Sequence, residues 1–192
     1  QHGNKRSRPE ELIPGTLRVI SARMDYLTVD AKETNAREHS DHARVSRYAM
    51  GRDYHKLIRK RLARLAEKIE HATQQLSAHG APTNQFRAFV DSAPVLERAL
   101  AEKAGLGWIG KNTMLISRNA GSYFFIGEIY TNLPLPIDAP DDQNHCGKCT
   151  ACLDACPTQA FVSPYVLDAK KCISYLTIEL KGSIPEELRA PI

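Results

Sequence analysis

The sequence predicts an α+β fold that is followed by a small metal-binding module. Three features carry this prediction: a mixture of strand-like and helical segments up to about residue 137, a linker rich in proline and aspartate, and a run of four cysteines beyond it. With 192 residues, of which 42% are hydrophobic, the chain can bury one core and carry a small appended module. The predicted domains are residues 1–137 and 138–192.

The first half of the chain predicts a strand and a long helix. Residues 16–24, TLRVISARM, have strand character and follow a Pro14-Gly15 turn. Asp53 or a neighbour is predicted to cap an amphipathic helix that ends at Gly80. The residues predicted on its apolar face are Leu57, Ile58, Leu62, Leu65, Ile69 and Leu76.

Further elements follow in the same domain. FRAFV, residues 86–90, predicts a second strand, and residues 94–104 predict a helix closed by Gly105. The segment GLGWIGKN is predicted to be a glycine-rich loop, too irregular for a helix or a strand. TMLIS (113–117) and SYFFIGEIYT (122–131) predict a hairpin joined through residues 118–121.

The most informative motif is HCGKCTACLDACP, residues 145–157, with the spacing C-x2-C-x2-C-x3-C-P. This is the bacterial ferredoxin pattern, in which Cys146, Cys149 and Cys152 bind one [4Fe–4S] cluster and Cys156 binds a neighbouring cluster. A zinc knuckle usually shows two separated CxxC pairs, and a disulfide framework needs an oxidising compartment. The pattern therefore favours iron–sulfur clusters, although only Cys172 lies outside the run.

Charge is unevenly distributed along the chain. The net charge is +4, and residues 37–68 contain ten Lys or Arg against four Asp or Glu. This excess indicates either a polyanionic or phosphate-bearing partner or simply a solvated helix face. No apolar stretch approaches the roughly 20 residues of a membrane span, and no signal peptide is present, so we expect a cytoplasmic protein without a membrane partner.

An α+β domain joined to a cluster module is expected to hold the electron acceptor, which is a flavin, another metal centre or a corrinoid. GLGWIG has G-x-G-x-x-G spacing but does not follow a strand, and Gly110-Lys111 is followed by Asn112 rather than by Ser or Thr. No standard nucleotide cradle is therefore predicted. The residues alone indicate an iron–sulfur oxidoreductase, and they do not identify its electron acceptor.

Four segments resemble the epoxyqueuosine reductase family of queuosine synthesis in bacterial tRNA. They are SRYAMGRDYHK (46–56), FVDSAPVLERALAEKAGLGWIGKNTMLI (89–116), the cysteine run, and CISYLTIELKGSIPEELR (172–189). The resemblance implies a nitroreductase-like core that binds cobalamin in place of flavin, followed by a bacterial ferredoxin-like module with two clusters. It implies reduction of epoxyqueuosine to queuosine, with electrons passing from the [4Fe–4S] clusters to cobalamin and then to the epoxide.

The resemblance also implies which cysteines bind which cluster. Cys146, Cys149 and Cys152 match three ligands of the first cluster, and Cys156 and Cys172 match two ligands of the second. The family's remaining ligands lie in later CP and G-C-x-x-C segments that are not in this sequence. Because the chain also begins without methionine, we expect it to be a fragment.

Asp91 matches the aspartate that the family is thought to use as its proton donor. Loss of the epoxide oxygen as water requires protons as well as two electrons, and a carboxylic acid can supply a proton. The alternative role for Asp91 is a helix cap, because Asp91 and Ser92 precede Pro94 and the helix after it.

Other residues match positions near the corrin. Tyr54 and His55 are expected to contact the cobalamin pocket, and His55 is not expected to bind cobalt. Lys111, Asn112 and Thr113 are expected to hydrogen-bond corrin amides. Ser174 is expected where the cluster module meets the corrin, and Trp108 is expected in the core.

The implied partners are tRNA carrying epoxyqueuosine and a low-potential electron donor such as flavodoxin or ferredoxin. A monomer is expected. Two other functions remain open at this stage: a corrinoid-dependent reductive dehalogenase-like oxidoreductase, and an iron–sulfur electron carrier without catalytic activity.

Overall fold

A computed structural model describes residues 3–27, 45–76, 83–91, 93–141, 143 and 145–192. The central element is a three-stranded antiparallel sheet with the order β1-β5-β2, formed by Arg18–Asp25, Phe124–Thr131 and Phe86–Phe89. Strand β5 lies in the middle, and six of its eight residues are buried. The predicted strands near residues 16–24 and 86–90 are confirmed.

A short helix, α1 (Pro9–Leu12), precedes β1, and the long helix α2 (Tyr54–Leu76) covers one face of the sheet. Its N-terminus is capped by Asp53, whose Oδ1 accepts a hydrogen bond from the His55 backbone N–H at 3.0 Å. The buried residues of the helix are Ile58, Leu62 and Ala66, which pack against Val90 and Ile129.

The predicted apolar face of α2 is wrong at one position. The predicted end of the helix lies beyond the described residues. Leu65 is 38% exposed, and Ala66 is buried in its place. A small residue is accommodated there because the helix approaches the sheet closely. The predicted end at Gly80 and the side chain of Leu76 lie outside the described part of the chain.

Gly127 of β5 permits this close approach. A Cβ at that position would lie 2.8 Å from Leu62 Cδ1 and 3.2 Å from Ile58 Cγ2. We therefore expect Gly127→Ala to lower the free energy of unfolding by about 1–3 kcal/mol, because the added methyl group overpacks the core. Gly51→Ala is the matched control, since a Cβ there meets no atom within 4 Å. Urea unfolding of the complete protein measures both, and equal midpoints would contradict the close-packing argument.

A short helix, α3 (Glu97–Lys103), covers the opposite face of the sheet. Ala101 is fully buried and packs with Leu115 and Phe124. Gly105 closes the helix as predicted, with φ +72° and its N–H bonded to the Glu102 carbonyl at 3.0 Å. The predicted start at residue 94 is three residues early.

The pairing of the next strands differs from the prediction. Trp108–Ile109 (β3) lies inside the predicted glycine loop and pairs with Leu115–Ile116 (β4), so neither the loop prediction nor the hairpin prediction is correct. A Cβ at Gly107 would lie 2.1 Å from the Ile116 carbonyl oxygen, and only glycine allows the two backbones to meet there. Strand β5 pairs with β1 and β2 instead, and a single Ser117–Gly121 bridge closes the turn.

The cysteine-rich segment follows an extended linker. Its elements are α4 (Ala151–Asp154), β6 (Phe161–Ser163), β7 (Val166–Leu167), a 3₁₀ turn at Ala169–Lys171, a π-helical turn at Tyr175–Glu179, and α5 (Glu186–Arg189). All five cysteines are free thiols. In the described residues, no helix has the length and apolarity to span a bilayer.

Candidate functional site

Asp91 stands directly after β2, at the edge of the sheet. Its φ is +48°, in the left-handed region that aspartate adopts more readily than most residues. Its backbone N–H donates to Glu97 Oε1 at 2.5 Å. The N-cap of α3 is Leu96, without a side-chain cap bond, so Asp91 does not cap that helix. The Asp91 carboxylate is instead directed at the first turn of α2.

The carboxylate of Asp91 is held by the first turn of α2. Its Oδ2 accepts a hydrogen bond from the Tyr54 hydroxyl at 2.8 Å and lies 2.8 Å from His55 Nε2. Burial and the bond to Asp91 raise the pKa of Tyr54, so this hydroxyl stays protonated and donates. The predicted group of Tyr54, His55 and Asp91 is therefore brought together.

His55 lies between two carboxylates. Its Nδ1 is 3.2 Å from Asp53 Oδ1, and its Nε2 faces Asp91. Both ring nitrogens donate to these oxygens only when the ring is protonated. Because Asp53 also caps α2, the cap and the histidine orientation depend on the same side chain.

Asp91 opens onto a cavity of about 530 Å³. Its lining is Arg6, Asp91, Val95, Leu96, Glu97, Arg98, Ala99, Ile109, Thr113 and Tyr165. The Arg98 guanidinium donates to the Thr113 carbonyl oxygen, which ties α3 to the segment after the glycine loop. A larger cavity of about 710 Å³ lies between α2 and β2, but it contains none of the predicted site residues.

Two acids in this region were not singled out from the sequence: Glu97 lines the cavity, and Glu128 is buried. Burial raises the pKa of Glu97 to about 6 and that of Glu128 to about 9. Glu128 is fully buried, and neither of its carboxyl oxygens has a hydrogen-bond partner in the described part of the chain. The one available signal was that Glu128 is the only charged residue in SYFFIGEIYT.

Lys111 joins the core to the cysteine loop. Its Nζ donates to the carbonyl oxygens of Gly147 and Cys149, each at 2.8 Å, and its own carbonyl accepts from the Tyr165 N–H at 3.0 Å. The Lys111 ammonium is therefore hydrogen-bonded to the cysteine loop, beside the Asp91 cavity. A corrin contact for Lys111 stays a prediction.

Of the remaining predicted residues, one lines the cavity and the others are not part of its lining. Thr113 lines it, with φ +62°, whereas Asn112 Oδ1 accepts from the Met114 N–H at 3.2 Å. Ser174 precedes the π-helical turn and is not part of the cavity lining. The Trp108 and His145 rings are in contact, with centroids 4.4 Å apart and planes tilted by 53°, so Trp108 packs where the core meets the cysteine loop.

The cysteine loop has the donor chemistry of an iron–sulfur site. The Cys156 thiol accepts hydrogen bonds from the Ala160 N–H at 3.3 Å, and such bonds outweigh burial and lower its pKa. N–H groups directed at sulfur favour the thiolate that binds iron. In the described ranges, no three His, Cys, Asp or Glu side chains converge on one ion.

The fold and these two adjoining sites define an α+β protein with an iron–sulfur module beside a carboxylate-bearing cavity. Residues 6–92 match the family described as "Epoxyqueuosine reductase QueG, DUF1730", and residues 145–192 match "4Fe-4S double cluster binding domain". The chain belongs to the epoxyqueuosine reductase family. It is 64% identical to the Pseudomonas aeruginosa epoxyqueuosine reductase over 188 residues, which are 98% of this chain and 50% of that protein.

Solved structures of the family share the fold. An epoxyqueuosine reductase bound to an epoxyqueuosine-modified tRNA-Tyr stem loop is 32% identical, with a TM-score of 0.76, over 95% of this chain and 46% of that one. The Bacillus subtilis enzyme, with its catalytic aspartate loop swung out of the active site, is 31% identical, with a TM-score of 0.76, over 98% and 47%. The chain spans about half the length of the curated relatives it matches.

Proposed function

We propose that the intact protein reduces epoxyqueuosine in tRNA to queuosine. The observation that carries this proposal is the Asp91 carboxyl, held by Tyr54 and His55 at a cavity whose far side reaches the cysteine loop through Lys111. A relative was solved with an epoxyqueuosine-modified tRNA stem loop, which supports the same substrate here. The loop that carries a catalytic aspartate in the Bacillus subtilis relative supports Asp91 as the acid.

The reaction requires two electrons and two protons for each epoxide converted to an alkene and water. In the protonated state, Asp91 donates its proton to the epoxide oxygen. Tyr54 and His55 fix the position of the carboxyl, so that the acid meets the substrate in one geometry. His55 Nε2 is engaged by Asp91, and the histidine is therefore not free to bind a metal.

The lining of the Asp91 cavity fits a corrinoid. Apolar side chains from Val95, Leu96 and Ile109 suit the ring, and Arg98 and Thr113 offer polar groups for its amide rim. Bound there, cobalamin would supply low-potential electron transfer to the epoxide, with electrons drawn from the clusters. Asp91 and Thr113 would hold the group directly, while Lys111 holds the cluster loop beside it.

The domain division follows from the same reasoning. The sheet with α2 on one face and α3 on the other supports a nitroreductase-like core for residues 1–137. Residues 138–192 would form a ferredoxin-like module whose Cys146, Cys149 and Cys152 bind one cluster and whose Cys156 and Cys172 bind a second. The family's missing ligands would come from the remainder of the protein.

The decisive experiment uses the complete protein, reconstituted without oxygen with iron, sulfide and cobalamin. It is given a strong one-electron reductant and tRNA bearing epoxyqueuosine. Mass spectrometry of the digested nucleosides is expected to show the loss of one oxygen atom. If the clusters and cobalamin are bound but no oxygen is lost, the proposed function is wrong.

A further inference from the structure

Glu128 occupies the middle of β5 on the face that α3 covers. It pairs with Ser21 of β1 and Phe89 of β2, and its side chain is 0% exposed. Neighbouring Ser21 Oγ and the Tyr130 hydroxyl are also buried, and neither has a hydrogen-bond partner in the described ranges. An ionised carboxylate would be very costly in such surroundings, so Glu128 is held as the neutral acid.

Glu97 connects this buried acid to the cavity. It begins α3, its Oε1 accepts the Asp91 backbone N–H at 2.5 Å, and it lines the same cavity as Asp91. Its charge acts on Glu128 through the low-dielectric interior. Three carboxyl groups thus run from the cavity into the sheet, with Glu97 in the middle.

The reaction requires a second proton donor besides Asp91. Asp91 gives up its proton when it protonates the epoxide oxygen, yet the oxygen leaves as water only after it has received a second proton. An acid with a pKa close to the working pH suits this step, because it is both protonated and able to donate. Glu97 is the other acid in the cavity that is placed to do so.

We propose that Glu97 is the second proton donor of the reaction, and that Glu128, as the neutral acid, keeps the space behind it uncharged. The proposal rests on the proposed function. In the balanced step, epoxide, two electrons and two protons give alkene and water. Asp91 supplies the first proton, Glu97 supplies the second, and a low-potential one-electron donor supplies both electrons through the clusters.

The titratable and charged groups around Glu97 are Asp91 after β2, His55 and Tyr54 on α2, Arg98 on α3, and Glu128 and Tyr130 on β5. Of these, Asp91, Arg98 and His55 act on the pKa of Glu97. Burial raises the pKa of Glu97 to about 6, and the charge of Asp91 also raises it. A general acid works while protonated, so turnover is expected to fall as the pH rises through about 6.

The test is Glu97→Gln in the complete, reconstituted protein. The amide oxygen still accepts the Asp91 N–H, but the acidic proton is gone. We expect turnover of epoxyqueuosine tRNA to fall about 100-fold and the pH-dependent decline near 6 to disappear. Glu187→Gln, an exposed position on α5, is the control and is expected to match the wild-type protein.

An infrared pH titration reads the same groups without turnover. The wild-type protein is expected to lose one carboxylic-acid carbonyl band near pH 6 that Glu97→Gln lacks, and to keep until about pH 9 another band that Glu128→Gln lacks. If the wild-type protein converts the substrate and Glu97→Gln keeps its rate and pH profile, the second-donor role is wrong. If the wild-type protein itself gives no conversion, the proposed function has failed first.

Discussion

Replacing Asp91 with asparagine is expected to reduce turnover of epoxyqueuosine tRNA by about 100- to 10,000-fold, the range for loss of a general acid. The asparagine oxygen can take the position of Oδ2, where it still accepts from the Tyr54 hydroxyl and from the N–H of His55 Nε2, so the local packing is expected to survive. What is lost is the proton for the epoxide oxygen. The measurement is single-turnover conversion by mass spectrometry, with bound cobalamin and cluster absorbance recorded for the same sample.

The control for this substitution is Asp138→Asn, an exposed aspartate in the linker. It is expected to leave turnover unchanged. Unchanged turnover in Asp91→Asn itself would remove Asp91 from the chemistry and leave it only a conformational role at the end of β2. Loss of turnover together with loss of cobalamin would instead trace the effect to the cofactor contact of Asp91 and leave its role as acid without support.

The strands and the long helix could be predicted because their patterns are local. The capping aspartate before Tyr54 and the apolar spacing that follows it need no tertiary information. The pairing of residues 113–117 could not be predicted in the same way. Adjacent segments suggested a hairpin, but β5 is buried almost throughout and lies between β1 and β2, which leaves β4 to pair with β3.

The candidate site, too, could be predicted from the sequence only in part. Asp91, Tyr54 and His55 were named from the family resemblance, and the fold brings them within hydrogen-bond distance across 36 and 37 residues of sequence. Glu97 and Glu128 were not named, because a glutamate in a helix or strand is usually solvated. Only the tertiary packing of α3 over β5 shows that Glu97 is partly buried and Glu128 completely buried.

The basic face of α2 is the candidate contact for tRNA phosphates. Arg59, Lys60 and Arg64 are exposed and lie off the buried face that Ile58 and Leu62 define. The ion pairs seen among the described residues involve none of these three side chains, so their charges are available to a polyanion. Phosphate contacts of this kind release counterions and make binding strongly dependent on salt.

Reversal of all three residues to glutamate is therefore expected to weaken tRNA binding by about 1,000-fold at about 50 mM salt and about 20-fold at about 200 mM salt, if each residue contacts one phosphate. The slope of log affinity against log salt concentration should fall by about three. Filter binding or fluorescence anisotropy across a salt series measures both quantities.

The matched control reverses three exposed cations outside this face, Lys103, Arg118 and Lys181. It changes the net charge by the same amount, so it tests whether the effect is local or only a consequence of the overall field. Equal slopes for both triple variants would show that α2 makes no specific phosphate contact and that its charges only keep an exposed helix solvated. A smaller slope in the α2 variant alone would place tRNA phosphates on this face, beside the strand end that carries Asp91.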